Sequence, residues 1–342
     1  ESSYHSSKYT ELISMYRHMR TVSTASEYNS TMDNSVHDYL SDRLGEVHAR
    51  QRIGIESEEP RIFGKGLNFF HPENWYSGHA LVRYILKLTG VYWYGQRKAV
   101  DFQLVNNDLR LPNLPASFEG MTLLHLSDLH IDMHPDTAET LIRHVEQIDY
   151  DICILTGDYR GSTIGPIDEA MAGMRSLCMV LKQPVYAVLG NHDSIYMVPQ
   201  LEDMGITMLL NESVAIERGD ATIHLAGIDD AHYYRVDNLE KSASEIPADR
   251  LSILLSHTPE VYRQAAHAGF DAFLCGHTHG GQICLPGGYP LTLDSNCPRY
   301  MGSGNWDYHG MTGYTSVGAG TSIVDVRLNC PPEITLHRLT SG

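Results

Sequence analysis

Five short apolar runs in this chain of 342 residues end in the same kind of residue, and that repetition restricts the fold more than any other feature. Met121–Leu126 leads into Ser127-Asp128-Leu129-His130, Ile152–Leu155 into Thr156-Gly157-Asp158, and Val185–Leu189 into Gly190-Asn191-His192-Asp193. Ile253–Leu255 leads into Ser256-His257, and Ala272–Leu274 into Cys275-Gly276-His277-Thr278-His279. Runs this short and this apolar have the composition of strands buried on both faces. The segments between them carry helical patterns, clearest where Ile167, Ala170, Met171, Met174, Leu177, Cys178 and Leu181 fall on one face. Residues 137–148 and 259–268 read the same way, while Val100–Leu111 and the Gly-punctuated stretch Thr312–Leu339 read as β structure. Such alternation predicts an α/β (α+β layered) domain. One Asp or His after a strand is ordinary turn or capping chemistry. Five in succession point to one site, because ligands of open α/β sheets bind beyond the carboxyl ends of the strands.

The converging residues are two Asp, one Asn and four His with no thiol among them: Asp128, His130, Asp158, Asn191, His257, His277 and His279. Oxygen and imidazole donors suit Mn, Fe(II) or Zn better than a soft metal. Seven candidate ligands exceed the needs of one tetrahedral ion. They match two neighbouring ions that share a carboxylate, the arrangement used for in-line displacement at phosphorus. The six cysteines are scattered, mostly inside apolar runs, and read as buried free thiols of a reducing compartment.

The order Asp128-Leu129-His130, Gly157-Asp158, Gly190-Asn191-His192-Asp193, His257, Gly276-His277-Thr278-His279 resembles the calcineurin-like metallophosphoesterase superfamily over about residues 101–342. The resemblance implies a four-layer αββα sandwich with a dinuclear site at one edge. It implies that Asp128, His130, Asp158 and His279 hold one ion, and that Asp158, Asn191, His257 and His277 hold the other. It also implies that His192 is a non-ligand acid or oxyanion stabiliser. Water activated between the ions would attack phosphorus while His192, as imidazolium, protonates the leaving alkoxide. One departure stands out: many members carry an acidic residue three positions after the bridging Asp, where this chain has Gly161. Asp193 is the candidate replacement, with a helix N-cap as the equal alternative, and Arg160 is expected to face the substrate phosphate. His134 and His232 lie in turns near the expected site and are candidates for substrate contact. His125, inside the first run, reads as a satisfied core histidine.

Residues 1–99 read as a helical N-terminal extension ahead of a catalytic domain over 100–342. Helices are expected near Leu12–Met19 and Val36–Val47, neither with a chemical motif. From Asn74 the character changes. His79, Arg83 and Lys87 recur every four residues along an apolar stretch, followed by Tyr92, Trp93, Tyr94, Arg97 and Lys98. Residues 71–100 carry four Lys or Arg against Glu73 alone, in a chain of net charge −17. Two readings stand side by side: a helix packed on the main domain with its basic stripe in solvent, or an interfacial helix lying on anionic lipid through residues 74–98.

The stretch from Asn74 to Trp93 is also similar to the manganese-dependent, phospholipase-C-like enzymes of bacterial phospholipid remodelling. The region from Leu109 to His130, with Gly280-Gly281-Gln282, is similar to envelope phosphoesterases of the UDP-diacylglucosamine diphosphatase type. These similarities imply two manganese ions, with iron or zinc as alternatives. They imply cleavage of a membrane glycerophospholipid to diacylglycerol and a phosphorylated head group, by a cytoplasmic enzyme peripheral to the inner membrane. The alternatives are a soluble phosphoesterase of nucleotides, sugar-nucleotide lipids or phosphoproteins, and a metal-free scaffold, which the complete ligand set argues against. The net charge argues against nucleic acid as a partner. No stretch reaches the ~18–20 apolar residues of a membrane-spanning helix. The oligomeric state is not written in the sequence, and a start at Glu1 rather than Met leaves open whether a leader was removed.

Overall fold

The computed structural model describes residues 25–58 and 75–342. The earlier segment holds helices α1 (Ala25–Leu44) and α2 (Glu46–Glu56), and the helix expected near 12–19 lies outside the described residues. By its contacts the chain divides into two units, Glu1–Gln51 and Arg52–Gly342, so the last residues of α2 belong to the larger one.

That larger unit continues with helices α3 (Tyr76–Leu88) and α4 (Tyr92–Lys98). Its strands begin with β1 (Gln103–Arg110), β2 (Thr122–Leu126), β3 (Ile152–Leu155), β4 (Val185–Ala187), β5 (Ile206–Met208), β6 (Glu212–Arg218) and β7 (Ala221–Gly227). They continue with β8 (Ser252–Leu255), β9 (Ala272–Cys275), the short pair β10 (Cys284–Leu285) and β11 (Tyr289–Pro290), β12 (Gly304–Tyr308), β13 (Met311–Thr315) and β14 (Glu333–Thr340). Helices α5 (Thr137–Val145), α6 (Asp168–Cys178), α7 (Val198–Asp203), α8 (Leu239–Ala243) and α9 (Tyr262–Ala268) fall between strands.

Two six-stranded sheets result, ordered β1-β14-β2-β3-β4-β5 and β12-β13-β9-β8-β7-β6. Strands β2 to β5 are parallel, as are β7, β8, β9 and β13. Register decides where their chains leave the sheet. Leu126 pairs with Leu155, Leu155 with Ala187, and Leu255 with Leu274, so the carboxyl ends of each sheet finish level with one another.

The sheets face each other across one core, to which the first contributes Leu123, Ile152, Ile154 and Val188, and the second Leu225, Ile253, Leu255 and Leu274. On the outer side of the second sheet, Leu254 and Phe273 meet Ala265 of α9 and Trp306 of β12. Helices α5 and α6 bury Leu141, Val145, Met171, Met174 and Leu177. The architecture is the expected four-layer αββα sandwich. His125 is a core histidine, as expected, its Nε2 2.8 Å from Thr156 Oγ1 and its Nδ1 3.1 Å from His337 Nε2.

Helices α3 and α4 attach through one acid. Asp325 Oδ2 accepts from Tyr92 Oη (2.7 Å) and Gln96 Nε2 (2.8 Å), and Asp325 Oδ1 lies 3.4 Å from Arg83 Nε. Leu86 packs on Tyr92, Val324 and Val326. That attachment ties down Arg83, whose side chain stays 41% exposed, and leaves Leu81, Tyr84, Ile85 and Leu88 exposed. The helix packs on the larger unit through Leu86 while Arg83 and Lys87 keep contact with solvent, as does much of its apolar side.

Candidate metal centre

The loops after β2, β3 and β9 are strained in a consistent way. Asp128, His130, Asp158, His277 and His279 have φ of 50°, 35°, 57°, 71° and 49°, a left-handed region that side-chain-bearing residues enter at ~1–3 kcal/mol each. Backbone bonds between loops hold them there: Asp128 N donates to Gly157 O (3.0 Å) and His130 N to Asp158 O (2.9 Å). Gly190 and Gly276 stand where any Cβ would overlap the carboxylates of Asp158 and Asp128 respectively. Glycine there lets neighbouring loops approach until their side chains meet.

Those side chains form two groups of donors. Asp128, His130 and His279 offer ligand atoms within 4.8 Å of one another, as do Asp158, His257 and His277. His130 Nε2 and His279 Nε2 are 3.1 Å apart. In the second group His257 Nε2 lies 3.1 Å from His277 Nδ1 and 2.9 Å from Asn191 Oδ1. Asp158 Oδ2 sits between the groups, 3.5 Å from His130 Nε2 and 3.3 Å from His257 Nε2. Orientation is set from behind. His130 Nδ1 donates to Arg160 O (2.7 Å) and His257 Nδ1 to Thr156 O (2.8 Å), which leaves each Nε2 facing inward. Asp128 accepts from Ser127 Oγ (2.6 Å) and His277 N (2.9 Å).

All seven residues are buried, and burial disfavours charge on acids and imidazoles alike. It pushes the Asp128 carboxyl up and that of Asp158 up to about 7, and it pulls His130 down to about 3. His277 and His279 fall well below the ordinary imidazole range for the same reason. Burial lowers His257 too, but the Asp158 and Asp128 carboxylates beside it raise it to about 10. Imidazole nitrogens turned inward, buried carboxylates in want of a cation and an amide oxygen make a hard-to-borderline donor set. It fits two divalent ions with Asp158 between them.

The family model for calcineurin-like phosphoesterases matches residues 121–281, the span that contains all seven. The uncharacterised metallophosphoesterase YkoQ of Bacillus subtilis is 32% identical over 238 residues, 66% of this chain and 86% of its own length. The chain belongs to this family. The phosphodiesterase YaeI of Escherichia coli is 27% identical over 70% of the chain and 88% of its own length. A transmembrane protein with a metallophosphoesterase domain from Danio rerio is 28% identical over 68% of the chain and 56% of its own length. Phosphoric ester hydrolysis at a two-ion centre is the activity class that this membership carries.

Two cavities of the phosphoesterase open on His192. One, about 350 Å³, is lined by Asp158, Asn191 and His277 and also by Val82, Leu291 and Ile323; the other, about 230 Å³, includes His79, Arg83, Ser162 and Ile323. The His192 ring lies 5.0 Å from that of His130, with Nδ1 3.3 Å from Thr163 Oγ1. Burial, then the imidazoles and Arg160 around it, hold its pKa well below the usual range.

The other expected site residues take different places. Asp193 neither bonds to the His192 ring nor caps a helix. Its carboxylate accepts from the N–H groups of Asp158 (2.7 Å), Tyr159 (2.8 Å) and Gly190 (2.8 Å), clasping the loops that carry Asp158 and Asn191. Ser194 caps the turn that follows. Arg160 does not face substrate, because its guanidinium donates to the carbonyls of His192, Gly165 (2.9 Å) and Thr163 (2.6 Å). His134 lines neither cavity; it closes the turn before α5, with Nδ1 accepting from Asp136 N (3.2 Å). His232 also lies outside both cavities, with its ring 4.2 Å from that of His277. Burial lowers its pKa, but Glu260 Oε1 at 3.2 Å lifts it to about 9. A third grouping of donors, His232, His277 and Asp294, shares His277 with the second.

Four contributors go unsignalled in the sequence. Thr163 is the group that meets His192 where an acid was expected. Arg327, fully buried, donates to Gly320 O (2.9 Å) and Gly318 O (3.0 Å) and lies 3.2 Å from His279 Nδ1. Arg52 and Glu56 brace the loop after Asn191: Arg52 Nη2 donates to Asp193 O (2.8 Å), and Glu56 accepts from Ser194 Oγ and from Ile195 N (2.9 Å). Their four-residue spacing could have marked a helical ion pair, but not what it faces.

Proposed function

We propose that this phosphoesterase is a manganese-dependent phosphodiesterase of phospholipase-C type that acts on a glycerophospholipid at a bilayer surface. The observation that carries the reading is the two-sided lining of the larger cavity. Asp158, Asn191, His192 and His277 line it together with Val82, Ile283, Leu291, Ile323 and Val324. A phosphodiester set against the polar group has aliphatic walls within reach of one of its arms. Val82 belongs to α3, whose outer flank exposes Leu81, Tyr84, Ile85 and Leu88 at 55%, 64%, 49% and 73%. An apolar face of that kind, with Lys87 on the same helix and Arg97 and Lys98 on the next, matches an anionic lipid surface. No helix among the described residues is long and apolar enough to cross a membrane, and contact in this reading is peripheral.

Divalent ions held by Asp128, His130 and His279 and by Asp158, His257 and His277 would supply screening of the phosphoryl oxygens and a more acidic water. The side chains place everything else. Asp158 is oriented by His192 N, which donates to its Oδ1 at 2.8 Å. Hydrolysis adds hydroxyl to phosphorus and a proton to the glycerol oxygen as the bond between them breaks. Diacylglycerol leaves, and the head group keeps the phosphate. His192, with Nδ1 set against Thr163, has Nε2 left to hydrogen-bond a substrate oxygen, and the proton that the glycerol oxygen takes up comes from the attacking water. Asp193 and Arg160 keep the loops under it fixed.

The test is product analysis with manganese-loaded protein on mixed micelles of phosphatidylglycerol and phosphatidylethanolamine, beside bis-p-nitrophenyl phosphate. Diacylglycerol is expected from the intact protein and none from Asp158→Asn. Cleavage of the chromogenic diester with the lipids untouched would overturn the lipid reading and return the soluble-phosphodiester alternative.

A further inference from the structure

We infer that the smaller cavity is the head-group pocket, and that Arg83 makes it selective for head groups bearing hydroxyls or an anion over those bearing an ammonium. The inference deepens the phospholipase reading and rests on it. A phosphodiester has two arms. The cavities share His192 and Ile323, so they meet where the scissile phosphate has to lie. With the aliphatic arm against Val82 and Leu291, the other arm is directed into the space lined by His79, Arg83, Met133 and Ser162. Helix α3 does the sorting. Its Val82 lines the apolar cavity, whereas His79 and Arg83, one turn apart, line the polar one.

The chemistry of that lining is one-sided: it includes a guanidinium and an imidazole and no carboxylate. Asp325 does not cancel Arg83. Its Oδ1 lies 3.4 Å from Nε alone, and the same carboxylate already accepts from Tyr92 and Gln96. The contact therefore orients the guanidinium and leaves its Nη groups for a ligand. A guanidinium offers paired N–H donors to hydroxyl, carboxylate or phosphate oxygens, and it repels an ammonium placed beside it. A second, independent feature marks the same place. Ile323, the wall common to both cavities, has φ 66°, a conformation that a β-branched residue adopts only when its surroundings enforce it. The strained residue stands at the divide between the two arms.

Short-chain dihexanoyl phosphatidylglycerol and dihexanoyl phosphatidylcholine, presented as monomers, isolate the pocket from bilayer docking. The manganese-loaded full chain should prefer the glycerol head group by about tenfold in kcat/KM, the scale of a hydrogen bond to a charged group. Arg83→Gln should bring the ratio near one, mainly by raising KM for phosphatidylglycerol, and Arg83→Lys should restore part of it. Asp325→Asn keeps the guanidinium and removes its tie; the preference should survive that change. If Arg83 only fastens α3, Asp325→Asn and Arg83→Gln will behave alike, which overturns the pocket. So does hydrolysis of both lipids at a ratio that Arg83→Gln does not move. Bis-p-nitrophenyl phosphate cleaved with both lipids untouched overturns the lipid reading itself, and this inference with it.

Discussion

Replacing Arg52 by Met tests how the loop bearing His192 is held. Arg52 is 0% exposed. Besides its bond to Asp193 O, Nε lies 3.5 Å from Asp229 Oδ1, Nη1 lies 3.3 Å from Glu56 Oε2, and the guanidinium carbon is 3.1 Å from the Tyr234 ring centroid. Burial alone would lower its pKa, but Tyr234, Asp229 and Glu56 hold it above the usual value. Methionine keeps the apolar stem and removes the charge. Asp229, equally buried, then loses its cation, and breaking one partner of a buried pair costs ~3–5 kcal/mol. The stranded carbonyl of Asp193 adds ~1–3 kcal/mol and the lost cation–π contact ~2 kcal/mol. These belong to one network and do not add. Asp229 also keeps the Asp230 N–H at 2.8 Å, so ~4 kcal/mol is the expectation. At ~2–4 °C per kcal/mol, Tm should fall by ~8–16 °C. Well below that lowered Tm, kcat on bis-p-nitrophenyl phosphate should drop ~10–100-fold, because a small displacement of the loop moves Asn191 and His192 together. Arg52→Lys should recover part of both. A Tm within ~2 °C of the parent would refute the energetic argument, and a large fall in Tm with unchanged kcat would refute the positioning role.

Other outcomes follow from the same contacts. Gly190→Ala places a Cβ against the Asp158 carboxylate, so the purified variant should fold yet hold fewer than two ions per chain by elemental analysis; full occupancy would show that the loops tolerate the methyl group. Burial pulls His125 down to about 3, whereas the unfolded chain takes up a proton near pH 6.5. Stability should therefore rise with pH between about 3 and 6.5 and fall by ~2 kcal/mol on acidification from pH 6.5 to 5, read from urea midpoints. His337, lowered by the same burial, acts in the same direction, and His125→Gln should flatten the slope. Leu88, 73% exposed, should contribute ~1–2 kcal/mol to adsorption if it enters lipid. Leu88→Ser should then weaken sedimentation with phosphatidylglycerol vesicles about tenfold, and unchanged binding would remove α3 from the docking face.

The loop ends are legible in the sequence because a strand buried on both faces admits little but apolar residues, which makes the first polar residue after it conspicuous. Strands β3, β8 and β9 are buried at every position. The β6–β7 hairpin is not legible in the same way. Nearly half of β6 faces solvent, and its turn is the two-residue loop Gly219-Asp220, with Gly219 at φ 68°. What the sequence hides most completely is contact with the main chain. Arg52, Arg160 and Arg327 all donate to carbonyl oxygens, and Asp193 accepts from three peptide N–H groups; no residue letter encodes such partners. Arg52 finds its carbonyl 141 positions away. Periodicity likewise announces a stripe on α3 without saying which side turns inward. That is decided by Asp325, 233 positions after Tyr92.

Charge explains why centre and surface need each other in the lipid reading. Two divalent ions held by Asp128, Asp158 and the histidines around them would give the centre its positive field. That field attracts a phosphate only at short range, since charges are screened beyond ~8 Å at physiological ionic strength. The chain as a whole carries −17 and is repelled by the anionic surface it has to meet. In that reading, productive approach depends on a stretch where cations and exposed apolar side chains occur together, Leu81 to Lys98, which also supplies Val82 and Arg83 to the two cavities. In the lipid reading, adsorption and substrate sorting would fall to one helix, and bond cleavage to loops that Arg52, Arg160 and Asp193 hold in place. The two sets of lesions should separate kinetically: changes on α3 raise the lipid concentration needed for half-maximal rate, and changes around Arg52 lower the rate at saturation.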